Sequence, residues 1–180
     1  MGTHLESEFT SPRPDCPHPE WWHAYDSMAA EVEVIEFLGG LIRALQPELV
    51  VETGTWKGHA ARAIGKTLVH IGHGRLITLE IDADLAREAE ESLSGLPVRV
   101  ENVDSMQYTP PGSIDLLWLD GSTDRAGEWN HLSQFMSPYG IVAVHDTGPH
   151  GDARAAFDAL DNITLIHLAT PRGVSIGQKR

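Results

Sequence analysis

The chain has 180 residues, room for about one domain, and its 41% hydrophobic and 22% charged residues exclude wholesale disorder. Its net charge is −13, from 13 basic and 26 acidic residues, and the basic ones are scattered, which argues against nucleic acid or an anionic membrane as the main partner. Cys16 is the one cysteine, so an internal disulfide and zinc sites needing two cysteines are excluded; with no long apolar run and no apolar leader beside Glu6 and Glu8, a reducing cytoplasmic setting is expected.

Residues 1 to about 20 carry Pro12, Pro14, Pro17 and Pro19, a density that forbids a helix, so an irregular N-terminal arm is expected ahead of a single domain over 21–180. Val34, Phe37, Leu38, Leu41, Ile42 and Leu45 recur at helical spacing and predict an amphipathic helix over about 30–46, stopped by Pro47. Gly39-Gly40 weakens that helix and would admit close packing on a sheet. From Leu49 onward short apolar runs alternate with helical patterns. Strands are expected at 49–51, 76–79, 98–100, 114–119, 141–144, 163–168 and 174–177. Helices are expected at 58–68, from an Asp82 cap through Leu93, at 124–136 and at 151–160. Such alternation implies an α/β fold, a doubly wound, mostly parallel sheet with helices on both faces. The last two strands are joined by about five residues, too few for a parallel crossover, so they close the sheet as an antiparallel hairpin.

Ligands of such sheets bind outside the carboxyl ends of the strands. The first strand runs into Glu52-Thr53-Gly54-Thr55-Trp56-Lys57-Gly58, an E-x-G-x-x-x-G loop. Its glycines let a ligand approach backbone N–H groups at a helix start. It lacks the dinucleotide pattern G-x-G-x-x-G, and Glu52 would repel a pyrophosphate; a carboxylate beside a glycine loop suits a cationic or amino-bearing ligand. Glu80 ends the second strand, near the offset expected of an acid that holds ribose hydroxyls. Asp104-Ser105 follow the third strand and can pair with an adenine amino group and ring nitrogen; an ordinary turn is the plain alternative. Asp120 and Asp146 follow the apolar fourth and fifth strands and could share one cation, while His145 is a candidate base. Cys16, His18 and His23 read as incidental rather than as a metal trio. Trp21-Trp22 and Tyr25 read as docking or lid residues, and Arg125 with Glu128 as a surface pair on one helix face.

From about Leu49 to the end, the segments VVETGTWKG, LITLEID, IDLLWLDG and GIVAVHDT resemble class I S-adenosylmethionine-dependent methyltransferases, closest to catechol O-methyltransferase-like enzymes and their relatives acting on bacterial natural products. The resemblance implies a Rossmann-like fold and methyl transfer to an oxygen of a small-molecule acceptor. It implies Glu52, Gly54, Thr55 and Gly58 on the methionine part of the cofactor, Glu80 on the ribose and Asp104 or Ser105 near adenine. In metal-dependent members the acids after strands four and five bind Mg²⁺, and Asp120 and Asp146 match them. The third ligand, often Asn, is Thr147 here, and the position of the catechol enzyme's lysine base is Thr123; His145 or His150 replaces that base, or the metal alone acidifies the acceptor. A nicotinamide oxidoreductase and a non-catalytic cofactor-binding protein on this fold are the alternatives. Self-association into a homo-oligomer stays open.

Overall fold

The computed structural model describes residues 5, 9–121, 123–149 and 152–180. His150, a candidate base, and Gly151, the expected start of a helix, lie outside them, as do 1–4 and 6–8 of the arm. The elements in chain order are α1 (Val32–Leu45), β1 (Leu49–Thr53), α2 (His59–Ile71), β2 (Arg75–Glu80), α3 (Ala83–Ser92), β3 (Val98–Asn102), β4 (Ile114–Leu119), α4 (Arg125–Leu132), β5 (Met136–His145), α5 (Asp152–Asp158), β6 (Ile163–Leu168) and β7 (Val174–Lys179). The seven strands form one sheet in the order β3-β2-β1-β4-β5-β7-β6. β3, β2, β1, β4 and β5 pair in parallel. β7 runs antiparallel to both β5 and β6, which is the expected closing hairpin.

The central strands carry apolar runs on both of their faces because both faces are covered. Val50, Leu76 and Leu116 pack under Ile42 of α1, Ala61, Ile64 and Leu68 of α2 and Ala89 of α3. The alternate residues Val51, Leu117, Leu119, Val142 and Val144 meet Trp129 and Leu132 of α4 and Phe157 of α5. Trp118 and Ala143 carry the first face on under Val34, Ile35 and Leu38 of α1. Gly39 serves helix packing rather than sheet packing: a Cβ there would lie 3.2 Å from Thr67 Oγ1 of α2, and one on Gly40 would meet nothing. α3 is capped as its sequence predicts, with Asp82 Oδ1 accepting from the backbone N–H groups of Asp84 and Leu85.

Two strands are longer than their apolar runs. β1 continues through Glu52 and Thr53, and β5 begins at Met136, with a register shift between Ile114 and Leu116 of its partner. α4 is shorter than expected and ends in a 3-10 turn at Ser133–Phe135. Segment 9–31 has a 3-10 turn at Pro19–Trp21, and the segment is tied down. Arg13 donates to the carbonyls of Pro171 and Thr170, and Cys16 is buried. Arg172 donates to the carbonyls of Ala29, at 3.1 Å, and Ser27. The loop at 170–173 thus fastens the segment that leads into α1. Among the described residues no helix is long and apolar enough to cross a membrane.

Candidate active site

The carboxyl ends of the parallel strands open into a cavity of about 540 Å³ lined by Glu52, Gly54, Thr55, Glu80, Asp104, Ser105 and Asp120 of the expected set. Its size is that of a small-molecule site. The register explains the gathering. Thr53 pairs with Leu79 on one side and Leu119 on the other, so Gly54, Glu80 and Asp120 leave the sheet at one level. Gly54 has φ +79, and a Cβ there would fall 2.4 Å from Gly121 Cα; only glycine fits this crossing. Gly58, at φ +74, does not line the cavity. It caps α2 and lies against Leu93.

Glu80 shapes the loop as well as the cavity. Its Oε2 accepts from the Trp56 N–H at 2.8 Å and its Oε1 from the Asp82 N–H at 3.1 Å, holding Trp56 at φ 48. Glu52 lies deeper. It is buried, and its Oε2 has no hydrogen-bond partner among the described residues. Burial, with the charges of Asp120 and Glu80 and against a hydrogen bond from Thr78, pushes its carboxyl up to about 8. A carboxyl kept neutral in a cavity wall is suited to meet a positive ligand. Asp104 Oδ1 accepts from the Met106 N–H at the start of a short 3-10 turn. The Ser105 hydroxyl donates to Glu128 Oε1 at 2.6 Å, so its proton is already committed.

The other side of the edge is a charged network. Leu119 pairs with Val144, which brings the next residues, Asp120 and His145, out side by side. His145 is fully buried, with Nδ1 2.9 Å from Asp120 Oδ1 and Nε2 2.6 Å from Glu31 Oε2. Burial alone would lower its pKa, but Asp120, Glu31 and Asp146 together push it up to about 10. An imidazolium with both nitrogens engaged has no site for an acceptor's proton, so the base role expected of His145 does not suit this arrangement. His145 and Asp146 also stand outside the cavity lining. Asp146, at φ 58, turns its carboxylate back so that Oδ2 receives Arg125 Nη2 at 2.6 Å; the same nitrogen lies 3.4 Å from Asp120 Oδ1. Asp120, His145 and Asp146 offer ligand atoms all within 4.8 Å of one another, a spacing compatible with one Mg²⁺. In this structure the two carboxylates are met by the Arg125 guanidinium and by the His145 ring, whose Nδ1 lies 2.9 Å from Asp120 Oδ1 and 3.4 Å from Asp146 Oδ1. Thr147, at the position of the expected third ligand, is buried, and its Oγ1 accepts from the Ser175 hydroxyl.

Arg125 and Glu128 are therefore no surface pair. Both are buried, and Glu128 also accepts from Thr53 Oγ1 at 3.2 Å. Their spacing puts them on one helix face, as read, but that face is turned to the sheet edge. Glu31 and His59 were not singled out by sequence. Glu31 meets His145 across 114 positions and had no local signal. His59 lines the cavity, stacks on Tyr25 at 4.6 Å between centroids, and has its pKa lowered from the ordinary histidine value chiefly by burial, with Asp26 at 3.6 Å opposing. Its place at the end of the glycine loop was the available clue. Of the aromatic trio, Trp21 stacks on His18 and is exposed, Trp22 lines a separate small hollow with Val34 and Phe37, and Tyr25 stacks on a residue of the cavity.

Comparison with known proteins agrees with this architecture. No curated protein sequence matches the chain significantly. Among solved structures, the O-methyltransferase TomG of Streptomyces achromogenes, involved in tomaymycin synthesis and solved with S-adenosylmethionine, superposes with a TM-score of 0.69 at 17% identity, covering 85% of this chain and 82% of its own. A methyltransferase of Podospora anserina bound to S-adenosylhomocysteine gives 0.74 at 17% identity over 85% and 80%. An O-methyltransferase of Bacillus cereus with S-adenosylhomocysteine gives 0.72 at 15% over 86% and 84%. The family model described as a methyltransferase domain matches residues 51–147, the span from β1 through the acids after β5, and the chain belongs to that family.

Proposed function

We propose that this methyltransferase takes its methyl group from S-adenosylmethionine and passes it to an oxygen of a small molecule. The observation that carries the reading is the cavity between the Gly54 loop and Glu80, with the unpartnered Glu52 oxygen at its wall. Gly54 and Thr55 give the close backbone approach, Glu52 answers positive charge at the methionine end, Glu80 accepts from ribose hydroxyls and Asp104 lies by the adenine. S-adenosylmethionine supplies a methyl on a positive sulfonium, already activated for displacement. The residues of the chain align the acceptor oxygen with it, and such alignment is worth ~7–11 kcal/mol. The oxygen–methyl bond forms as the sulfur–methyl bond breaks, S-adenosylhomocysteine leaves, and the acceptor's proton passes to water. The choice of oxygen follows the solved relatives described as O-methyltransferases. Residues 21–180 form the catalytic unit in this reading, and residues 9–20 of the arm, through Arg13, are a strap on the 170–173 loop.

Calorimetric titration tests the reading. S-adenosylhomocysteine binds and NADH does not, and Glu80→Ala weakens S-adenosylhomocysteine by about 1–3 kcal/mol, the cost of lost hydrogen bonds to a charged acceptor. Binding of NADH in its place would return the chain to the oxidoreductase alternative, and unchanged affinity in the variant would remove Glu80 from the ribose.

A further inference from the structure

Two acids at the ends of neighbouring strands need a cation, and the source of that cation decides what the site requires. Arg125 is the first residue of α4, and its side chain is buried over the sheet edge. The helix start is fixed by Asp124, whose Oδ1 accepts from the Gly127 N–H at 2.9 Å. From there one guanidinium nitrogen reaches Asp146 Oδ2 at 2.6 Å and Asp120 Oδ1 at 3.4 Å. A guanidinium keeps its charge at any working pH and is weakly hydrated, so it suits such a buried position. His145 closes the third side, and each of its nitrogens already faces a carboxylate oxygen. No ring nitrogen is left to turn toward an ion. A divalent ion would have to expel the guanidinium and also take Asp120 from His145.

We propose that the Arg125 guanidinium, which bridges Asp120 and Asp146 beside His145, stands in place of a divalent metal, so that the site works without one. The inference rests on the methyl-transfer reading only for what the site is used for; the exclusion of metal stands on the side chains themselves. Arg125 is on this view a positioning residue. It fixes Asp120, which lines the cavity, from behind.

Mn²⁺ titrated into the full chain, with free ion read by electron paramagnetic resonance, tests this without any acceptor. The wild type is expected to take up no stoichiometric Mn²⁺, and S-adenosylhomocysteine affinity is expected to be equal in EDTA and in excess Mg²⁺. Arg125→Ala removes the guanidinium that bridges the two carboxylates, leaving His145 in place, and should raise Mn²⁺ affinity by about tenfold or more, while Arg125→Lys, which keeps the charge, should not. One Mn²⁺ bound tightly by the wild type and lost in Asp146→Asn would overturn the proposal, whether or not the Arg125 variants fold. A folded Arg125→Ala with no gain in Mn²⁺ affinity would overturn it as well. Failure of S-adenosylhomocysteine to bind would strike the methyl-transfer reading and leave the Mn²⁺ result intact.

Discussion

Over β1, β2 and β3 the sheet edge opens into a cavity, and a buried acid of its lining, Glu52, keeps an oxygen without a hydrogen-bond partner among the described residues. Over β4 and β5 the acids are of the same kind, yet the protein meets them with its own cations, His145 and Arg125. One region is left short of positive charge and the other is already neutralised. The difference says where a positive ligand belongs. An unpaired buried carboxyl costs the empty protein stability, and that cost is recovered when a cation arrives. A paired one has nothing to gain from a ligand and can hold geometry instead.

The largest expected effect breaks the neutralised side. His145→Ala leaves Glu31 and Asp120 facing each other's charge inside the protein, and loss of one partner of a buried ion pair costs about 3–5 kcal/mol. Urea denaturation of the variant should show a drop of that size. Glu52→Gln, on the open side, removes a carboxyl that is neutral in the empty protein, so its stability should be unchanged or higher. Equal losses in the two variants would mean that the two halves are not built differently.

The pH dependence of cofactor binding sharpens the same contrast. Glu52 has an ordinary value of 4.5 and is held at about 8 in the empty protein. Folding therefore takes up a proton between those limits, and the contribution of Glu52 to stability falls as pH rises from 4.5 toward 8. A positive cofactor favours the ionised form, so binding below about pH 8 must release the proton. Affinity for S-adenosylmethionine should rise with pH up to tenfold per unit, about 1.4 kcal/mol, and level off above about pH 8. Calorimetry in buffers of different ionisation enthalpy should record the released proton, and Glu52→Gln should abolish both the slope and the release. A flat profile in the wild type would show that Glu52 does not meet the cofactor's charge.

The parts of this molecule that could be read from its sequence are the ones with local signals. β4 is an unbroken apolar run, the Asp82 cap sits one residue before its helix, and the closing hairpin follows from a short connection. Strand ends were harder. The apolar run of β1 stops at Val51 while the strand continues through two polar residues, because polar side chains at the top of a central strand face the cavity and α4 rather than solvent. The open side of the site was legible for the same reason, since Glu52, Gly54 and Glu80 all border an apolar run. The neutralised side was not. Spacing places Arg125 and Glu128 on one face but cannot say which way that face looks, and their partners come from the residues just after β4 and β5, from β1 and from the turn after β3. Glu31 is in reach of His145 only because the 170–173 loop straps its segment down, through the Arg172 N–H bonded to Glu31 Oε1 at 3.0 Å.

Ser105 marks the line between the two regions, and its expected effect on ligand affinity is the smallest. It lines the cavity, but its hydroxyl donates to Glu128, which shares α4 with Arg125. A hydroxyl has one proton to give. If that proton stays with Glu128, Ser105 supports the neutralised side and offers a ligand only lone pairs. Ser105→Ala should then lower stability by about 1.5–3 kcal/mol, as loss of a hydrogen bond to a charged group does, while S-adenosylhomocysteine affinity moves by less than about 1 kcal/mol. Asp104→Ala, one residue earlier, should weaken that ligand more, since its Oδ2 stands at 3.5 Å from Gln107 Nε2 and can be drawn to the adenine. Paired measurements of melting temperature and affinity on the two variants separate the roles. A fall in affinity in Ser105→Ala as large as in Asp104→Ala would mean that Ser105 abandons Glu128 when the cofactor enters, and the boundary would then run along α4 instead of along the turn after β3.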